Sequence, residues 1–350
     1  MPLNQAQLIA GANYQLETYA KGDPVDQINK DRPFMNWLIA NKVDSIFSNS
    51  IFNEKVRISN DSNYQNYTGD QQVTYNKKDT VRKAPFQHYE AHDGFNLNET
   101  ELANNGIVMT EDANATPTDA ETTQIVNLLK ENWATLKLGF QEKWDIEVHL
   151  DGTQSALAVP GLDALISTTP STGVIGGLDA ATYTFWRNSA DMNIPTTTAG
   201  NLTSEMEIMW RACRTYGGMI PDFIVCGSKF YDAYRNDAKL TINRQLIIKG
   251  NQSSDMDNSV ENLFFAGKQV IWDPSFDALD ALLGTITYPW AKRCYFLNSK
   301  TIRLRPFKGR WMIVRKPSRM YDRYVHYFGL TADYGLTTNK RNANAVLSIA

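Results

Sequence analysis

Between Thr118 and Leu150 apolar residues recur at every third or fourth position, through Ile125, Leu129, Trp133, Leu136, Phe140, Trp144 and Val148. That period places them on one stripe of an α-helix and on no single face of a strand. Pro117 breaks what precedes, Thr118 with Glu121 has the capping-box pattern, and Asp151-Gly152 supplies a stop. At 1.5 Å per residue such a helix spans about 45 Å, longer than a compact domain of this size needs. The pattern predicts a spine.

The segments before it are poorer in apolar residues. Residues 1–50 predict an arm with one or two helices, because Pro33, Phe34, Trp37, Leu38, Val43, Ile46 and Phe47 recur at roughly helical spacing. From Asn53 to Tyr89, Val56/Ile58 and Val73/Tyr75 alternate with polar residues and Thr80–His88 gives a second polar strand, which together predict a long hairpin. A two-stranded ribbon with so few apolar residues is marginal in water. Ribbon and arm are therefore expected to gain their order from neighbouring molecules.

After Val159 the elements become short and are separated by Gly and Pro. Ser204–Tyr216 is helical in pattern and closed by Gly217-Gly218. Phe223–Cys226 has the continuous apolar run of a buried strand, and Lys229–Asp237 follows with helical spacing, giving a strand-then-helix unit. Gln269–Trp272, Tyr295–Leu297, Trp311–Val314 and Tyr324–Phe328 are further strand candidates. The class is α+β, strands dominate the last third, and no internal repeat is present.

A chain of 350 residues with 42% hydrophobic content can bury one large core or two smaller ones. No apolar run approaches the roughly 18 residues of a membrane span, and the N-terminus lacks the basic and apolar regions of a secretion signal. A protein of the cytosol with no membrane partner is expected. Three cysteines (Cys213, Cys226, Cys294) fit reduced, buried thiols better than a disulfide framework. The net charge of −3 hides two blocks of opposite sign. Ala84–Leu129 holds eight acids and no Lys or Arg, whereas Lys292–Arg341 holds thirteen basic residues against Asp322 and Asp333. Such blocks are expected to meet between subunits and set register, an attraction that salt would weaken.

Four stretches, in this order, carry a resemblance. Gly161–Ile166 followed by Gly173–Asn188 closely resembles the start of the axial domain of tailed-bacteriophage major capsid proteins. Pro221–Val225 leading into Tyr231–Tyr234, then Phe265–Pro274, then Cys294–Leu304, are similar to later parts of the same family. The resemblance implies the Hong Kong ninety-seven type capsid fold. Its parts would be an N-terminal arm (1–52), an extended loop (53–110), a peripheral domain on the spine helix (111–158), an axial α/β domain (159–283) and a return to the peripheral domain (284–350). It further implies a major head subunit that forms pentamers and hexamers and closes into an icosahedral shell around phage DNA. Assembly would take place in the host cytoplasm, with a separate scaffolding protein and a portal as partners and contact to DNA nonspecific. Some family members cross-link neighbours through a lysine of the extended loop; Lys77, Lys78 and Lys83 lie there, but no acceptor is identifiable. Candidate intersubunit contacts are these lysines, Asp179, Trp186 and Arg187 of the capsid-like stretch, and Arg303, Arg305 and Arg315 of the basic third.

Other chemistries fare worse. His88 and His92 stand four apart, but the segment is extended and Glu90 is misplaced for a metalloprotease helix. Gly173–Gly177 lacks the Gly-Lys-Ser/Thr of a phosphate loop, and neither Cys213 nor Cys226 has a base nearby in sequence. No cofactor, metal or catalytic role is expected. Two rival readings stand beside the phage shell: a nanocompartment shell of the encapsulin type, and a nucleic-acid-binding module using basic and aromatic residues of the last third.

Overall fold

The computed structural model describes residues 29–45, 51–104, 119–216, 219–241, 263–284, 286–316 and 325–350. They fall into two compact units: a smaller one drawing on residues 92–142 and 312–331, with 29–30, and a larger one of 31–91, 143–311 and 332–350.

Helix α1 (Pro33–Ala40) opens on a proline at its first turn, where the missing N–H is no loss, and buries Phe34, Met35 and Leu38. Strands β1 (Ile51–Arg57) and β2 (Val81–Gln87) pair antiparallel with Phe52 opposite Phe86. Strand β3 (Tyr89–Asn98) runs into the short α2 (Glu99–Asn104), and α3 (Asp119–His149) is the spine helix of 31 residues. Next come α4 (Leu162–Leu165), the small hairpin β4 (Val174–Ile175) and β5 (Leu178–Asp179), and β6 (Ser189–Ile194). Helix α5 (Asn201–Thr215), β7 (Phe223–Cys226), α6 (Ser228–Thr241), β8 (Phe264–Phe265), β9 (Lys268–Trp272) and α7 (Pro274–Leu283) follow. The chain finishes with β10 (Arg293–Leu297), β11 (Ile302–Pro306), β12 (Ile313–Arg315), β13 (Val325–Thr338) and β14 (Ala345–Ile349).

In the larger unit a six-stranded mixed sheet has the order β6-β14-β10-β7-β9-β8. β10 is antiparallel to both β14 and β7, and β7 is parallel to β9. A parallel neighbour requires a crossover, and α6 lies in the connection from β7 to β9, as the strand-then-helix pattern predicts. β10 and β14 are buried at every position. Leu202, Met206 and Trp210 of α5 and Phe230, Tyr231 and Tyr234 of α6 pack on Ile224, Phe296 and Leu347 of the sheet. Strand β11 alternates, with Ile302, Leu304 and Pro306 inward and Arg303 and Arg305 on the other face. It pairs with residues 334–338 of β13.

The smaller unit has β12 paired with residues 329–331 of β13, and an aromatic cluster in which Phe95 stacks on Phe328 at 5.1 Å and both meet Trp133 edge-on. Gly94 permits that approach: a β-carbon there would lie 2.8 Å from the Phe328 carbonyl oxygen.

The spine helix matches its prediction within a residue at each end. Of the expected stripe, Leu136, Phe140, Trp144 and Val148 are buried; the side chain of Ile125 lies outside the described residues. The chain turns directly off the helix end because Gly161 donates its N–H to Leu150 O, and a β-carbon at 161 would sit 2.3 Å from Val148 O.

Three expectations are corrected. The described arm helix runs from Pro33 to Ala40, Ile46 and Phe47 lying outside the described residues, and it packs on its own chain: Trp37 stacks on Phe223 at 5.1 Å, and Ser45 forms a parallel bridge with Phe307. Phe34 and Leu38 find apolar cover within the larger unit, so this helix needs no neighbour to be buried. The ribbon's paired strands are 51–57 and 81–87; Val73 and Tyr75 lie outside them in an irregular loop, because residues 58–80 offer no apolar face to pair over. The strand around Tyr324–Phe328 continues to Thr338, buried from Gly329 on except at Thr331. Residues 1–28, Gly217-Gly218 and Tyr324 lie outside the described residues.

Candidate assembly surfaces

The hairpin has two different ends. Its base is fixed to its own chain through one face of the β1–β2 pair, where Phe52, Val56, Ala84 and Phe86 are buried. The turn at Gly176, held at φ +57°, brings its backbone so close that a β-carbon would lie 3.0 Å from Ala84 and Phe86. Arg305 Nη2 reaches Glu54 Oε1 at 2.6 Å, and Thr337 Oγ1 donates to the same oxygen at 3.1 Å. The tip, residues 58–80, is held mainly by polar contacts within itself: Asn63 and Gln65 bond to Thr74 across the loop, and Gln71 N donates to Thr68 O. It presents Tyr64, Tyr67 and Tyr75 with 83%, 68% and 92% of their surface exposed. Lys77 and Lys78 are exposed on this tip and Lys83 on the open face of β2.

The capsid-like stretch 173–188 is satisfied within its own chain. Asp179 accepts from Ala181 N at 2.9 Å and Thr182 Oγ1 at 3.0 Å, and these bonds hold its carboxyl below the usual carboxylate range. Trp186 is buried and donates its indole N–H to Ile175 O, while Arg187 donates to the carbonyls of Ala180 and Ala181. Asn188 bridges back to Ser167, accepting from its N and donating to its O.

A residue the sequence reading missed completes this knot. Arg341, 1% exposed, donates to Leu165 O at 2.7 Å, Trp186 O at 3.2 Å and Asn188 Oδ1 at 3.1 Å. Burial lowers its guanidinium to about 10. The planar fork of arginine suits three acceptors from two separate loops; nothing local in the sequence distinguishes it from the other basic residues of the last third.

Part of the basic block is used inside the chain. Arg293 pairs with Asp163 at 3.0 Å, Arg305 with Glu54, and Arg310 with Asp333 at 3.0 Å, while Arg341 is buried. Arg315 is exposed and donates to Thr331 Oγ1, and Arg303 is half-buried on the outer face of β11.

Among the described residues no group of three or more His, Cys, Asp or Glu side chains is placed to hold a metal, and no helix is long and apolar enough to cross a membrane. All three cysteines are buried and unbridged. Burial raises the Cys213 thiol to about 12 and pushes that of Cys294, opposite Cys226 across the β10–β7 pair, well up. Such thiols are poor nucleophiles. One buried group, Asp145, His149, Asp273 and Ser275, has the composition of a hydrolase triad without its geometry. Ser275 Oγ donates to Asp145 Oδ2 at 2.6 Å rather than to the imidazole, and His149 Nδ1 faces Asp145 O at 2.6 Å.

No protein-family model and no curated protein matches this sequence. Solved structures do. The capsid asymmetric unit of cyanophage A-1(L) superimposes with a TM-score of 0.60 at 15% identity, covering 94% of this chain and 96% of the other. The mature capsid of bacteriophage PhiM1 gives 0.56 at 10% identity, covering 94% and 90%. Mycobacterium phage Bobi gives 0.55 at 11% identity, covering 96% and 98%. At such low identity the likeness is one of fold, and it extends over almost the whole of each chain: this protein has the α+β architecture of phage capsid subunits.

Proposed function

We propose that this chain is a major capsid subunit, which associates through pentamers and hexamers into an icosahedral shell around phage DNA. The observation that carries the reading is the hairpin: a base anchored by an ion pair and buried apolar residues, and a tip that offers three exposed tyrosines with no cover of their own. Large aromatic side chains are enriched where binding energy concentrates, and a surface that meets a different surface on the next copy generates rings when the rotation closes. The phage capsid structures that share this fold support a shell-forming role.

In this reading the subunit is organised as an arm (1–52), an extended loop (53–110), a peripheral domain (111–158 and 284–350) and an axial domain (159–283). Lys77, Lys78 and Lys83 face a neighbour from the loop. The subunit has no catalytic role. A separate scaffolding protein and a portal are its assembly partners, and DNA is met nonspecifically on the inner surface.

Electron microscopy of the purified full chain tests the proposal: capsomers or closed shells are expected. Replacing residues 60–77 by a short Gly-Ser linker is expected to leave a folded subunit that forms neither. A full chain that remains a dispersed monomer at high concentration and retards oligonucleotides in a gel would instead favour the nucleic-acid module.

A further inference from the structure

The spine helix ends in a buried group of ionisable side chains that fastens the 31–45 segment to the larger unit. Arg32, Asp145, His149, Asp273 and Ser275 are all more than nine-tenths buried. They come from three places in the sequence: the start of the arm helix, the last turn of α3, and the first turn of α7. Asp273 is the N-cap of α7, its Oδ1 accepting from Ser275 N at 2.8 Å. Its other oxygen accepts from the backbone N–H of Phe34 at 3.2 Å, so one carboxylate caps two helices. Asp145 Oδ2 accepts from Ser275 Oγ at 2.6 Å and stands 3.9 Å from Arg32 Nε.

The arrangement is short of one proton. The group holds two carboxylates and one guanidinium, which stands beside Asp145, and the wall is apolar: the rings of Phe34, Phe276 and Trp290 surround the His149 imidazole at 4.7, 5.3 and 5.8 Å. Beyond Trp290, Arg293 lies over the far ring at 4.3 Å and is already paired with Asp163. His149 Nδ1 lies against a carbonyl oxygen and therefore carries a hydrogen, while His149 Nε2 and Asp145 Oδ1 have no hydrogen-bond partner among the described residues. A buried net charge and orphaned polar atoms are costly, and one added proton removes the net charge.

We propose that these five residues form a proton-linked latch on the 31–45 segment, closed more tightly when the group takes up one proton and loosened when it releases it. The net direction of the Asp273 carboxyl agrees: burial pushes it up and the Asp145 charge adds to the rise, outweighing His149 and the N–H groups of Ser275 and Phe34, which oppose. A carboxyl raised in the folded state contributes stability that is present below its unfolded value of about 3.9 and lost as pH climbs through its folded value. The segment is thus held harder as pH falls. The latch belongs to the subunit itself, so its test does not depend on whether shells form.

Hydrogen exchange of the 34–38 amides in the full chain, corrected for intrinsic rates, reads the latch directly. Protection about tenfold greater at pH 5 than at pH 8 is expected in the wild type, and Asp273→Asn should show nearly equal protection at both. Equal protection in the wild type, or an undiminished pH dependence in Asp273→Asn, would overturn the proposal. Should that variant fail to fold, Arg32→Met removes the cation and should move the loosening to higher pH, whereas an unmoved midpoint overturns it.

Discussion

Arg341 illustrates how much one buried side chain can organise. Its three acceptors, Leu165 O, Trp186 O and Asn188 Oδ1, belong to the 161–166 and 173–188 stretches, which it ties together. Arg341→Ala is expected to destabilise the protein by about 3 kcal/mol, at the upper end for leaving buried polar groups unpaired, measurable as a lowered urea midpoint. Lysine should recover only part, since a single ammonium cannot reproduce the fork. The cysteines give a second residue-scale expectation. All three are buried, and burial raises the thiols of Cys213 and Cys294, so iodoacetamide at pH 8 should leave Cys213, Cys226 and Cys294 unmodified in the native protein and label all three in urea, as counted by mass spectrometry.

At the scale of elements, the last third of the spine helix is fixed by an aromatic cluster. Trp144 meets Trp311 and Tyr334 edge-on at 5.5 and 5.8 Å, and the Tyr334 hydroxyl reaches Glu147 Oε2. Trp144→Ala should cost about 3–5 kcal/mol and remove near-ultraviolet circular dichroism intensity. Helix α5 has no side-chain cap of its own; Asp237 of α6 caps it from outside, accepting from Gly200 N, Thr203 N and Thr203 Oγ1. Asp237→Ala should cost about 1–2 kcal/mol, read in the same denaturation assay. Sequence patterns gave α3, α5 and α6 within a few residues, because their apolar stripes repeat over several turns. Helix α7 went unnoticed although Asp273-Pro274 carries the N-cap and first-turn proline signature. Strand β14 was missed because a strand buried on both faces has no alternation to detect.

For the whole molecule, the consequence of an anchored hairpin base and an open tip is that association should be lost without loss of folding. Truncating Tyr64, Tyr67 or Tyr75 to Ala should leave the denaturation midpoint within error, while each lowers subunit association by about 2 kcal/mol, roughly 30-fold, by sedimentation. Raised salt should weaken association where the acidic and remaining basic surfaces meet. Ala84–Leu129 still supplies acids, but the paired Arg293, Arg305 and Arg310 shrink the basic side of that contact.

Periodicity alone determined the spine helix, the strand-then-helix unit, the existence of a polar hairpin and the α+β class, since these depend on residues near one another in the chain. The resemblance carried by Gly173–Asn188 added the capsid architecture. Tertiary structure alone decided that the arm helix folds onto its own chain, that Arg293, Arg305 and Arg310 of the basic third are paired within the chain, and that Asp145 and His149 are buried. In the sequence these two look like the polar side of an amphipathic helix. Their partners are Arg32, over a hundred residues before, and Asp273 and Ser275, over a hundred after, and a buried charge is defined by what closes over it, which no local pattern records.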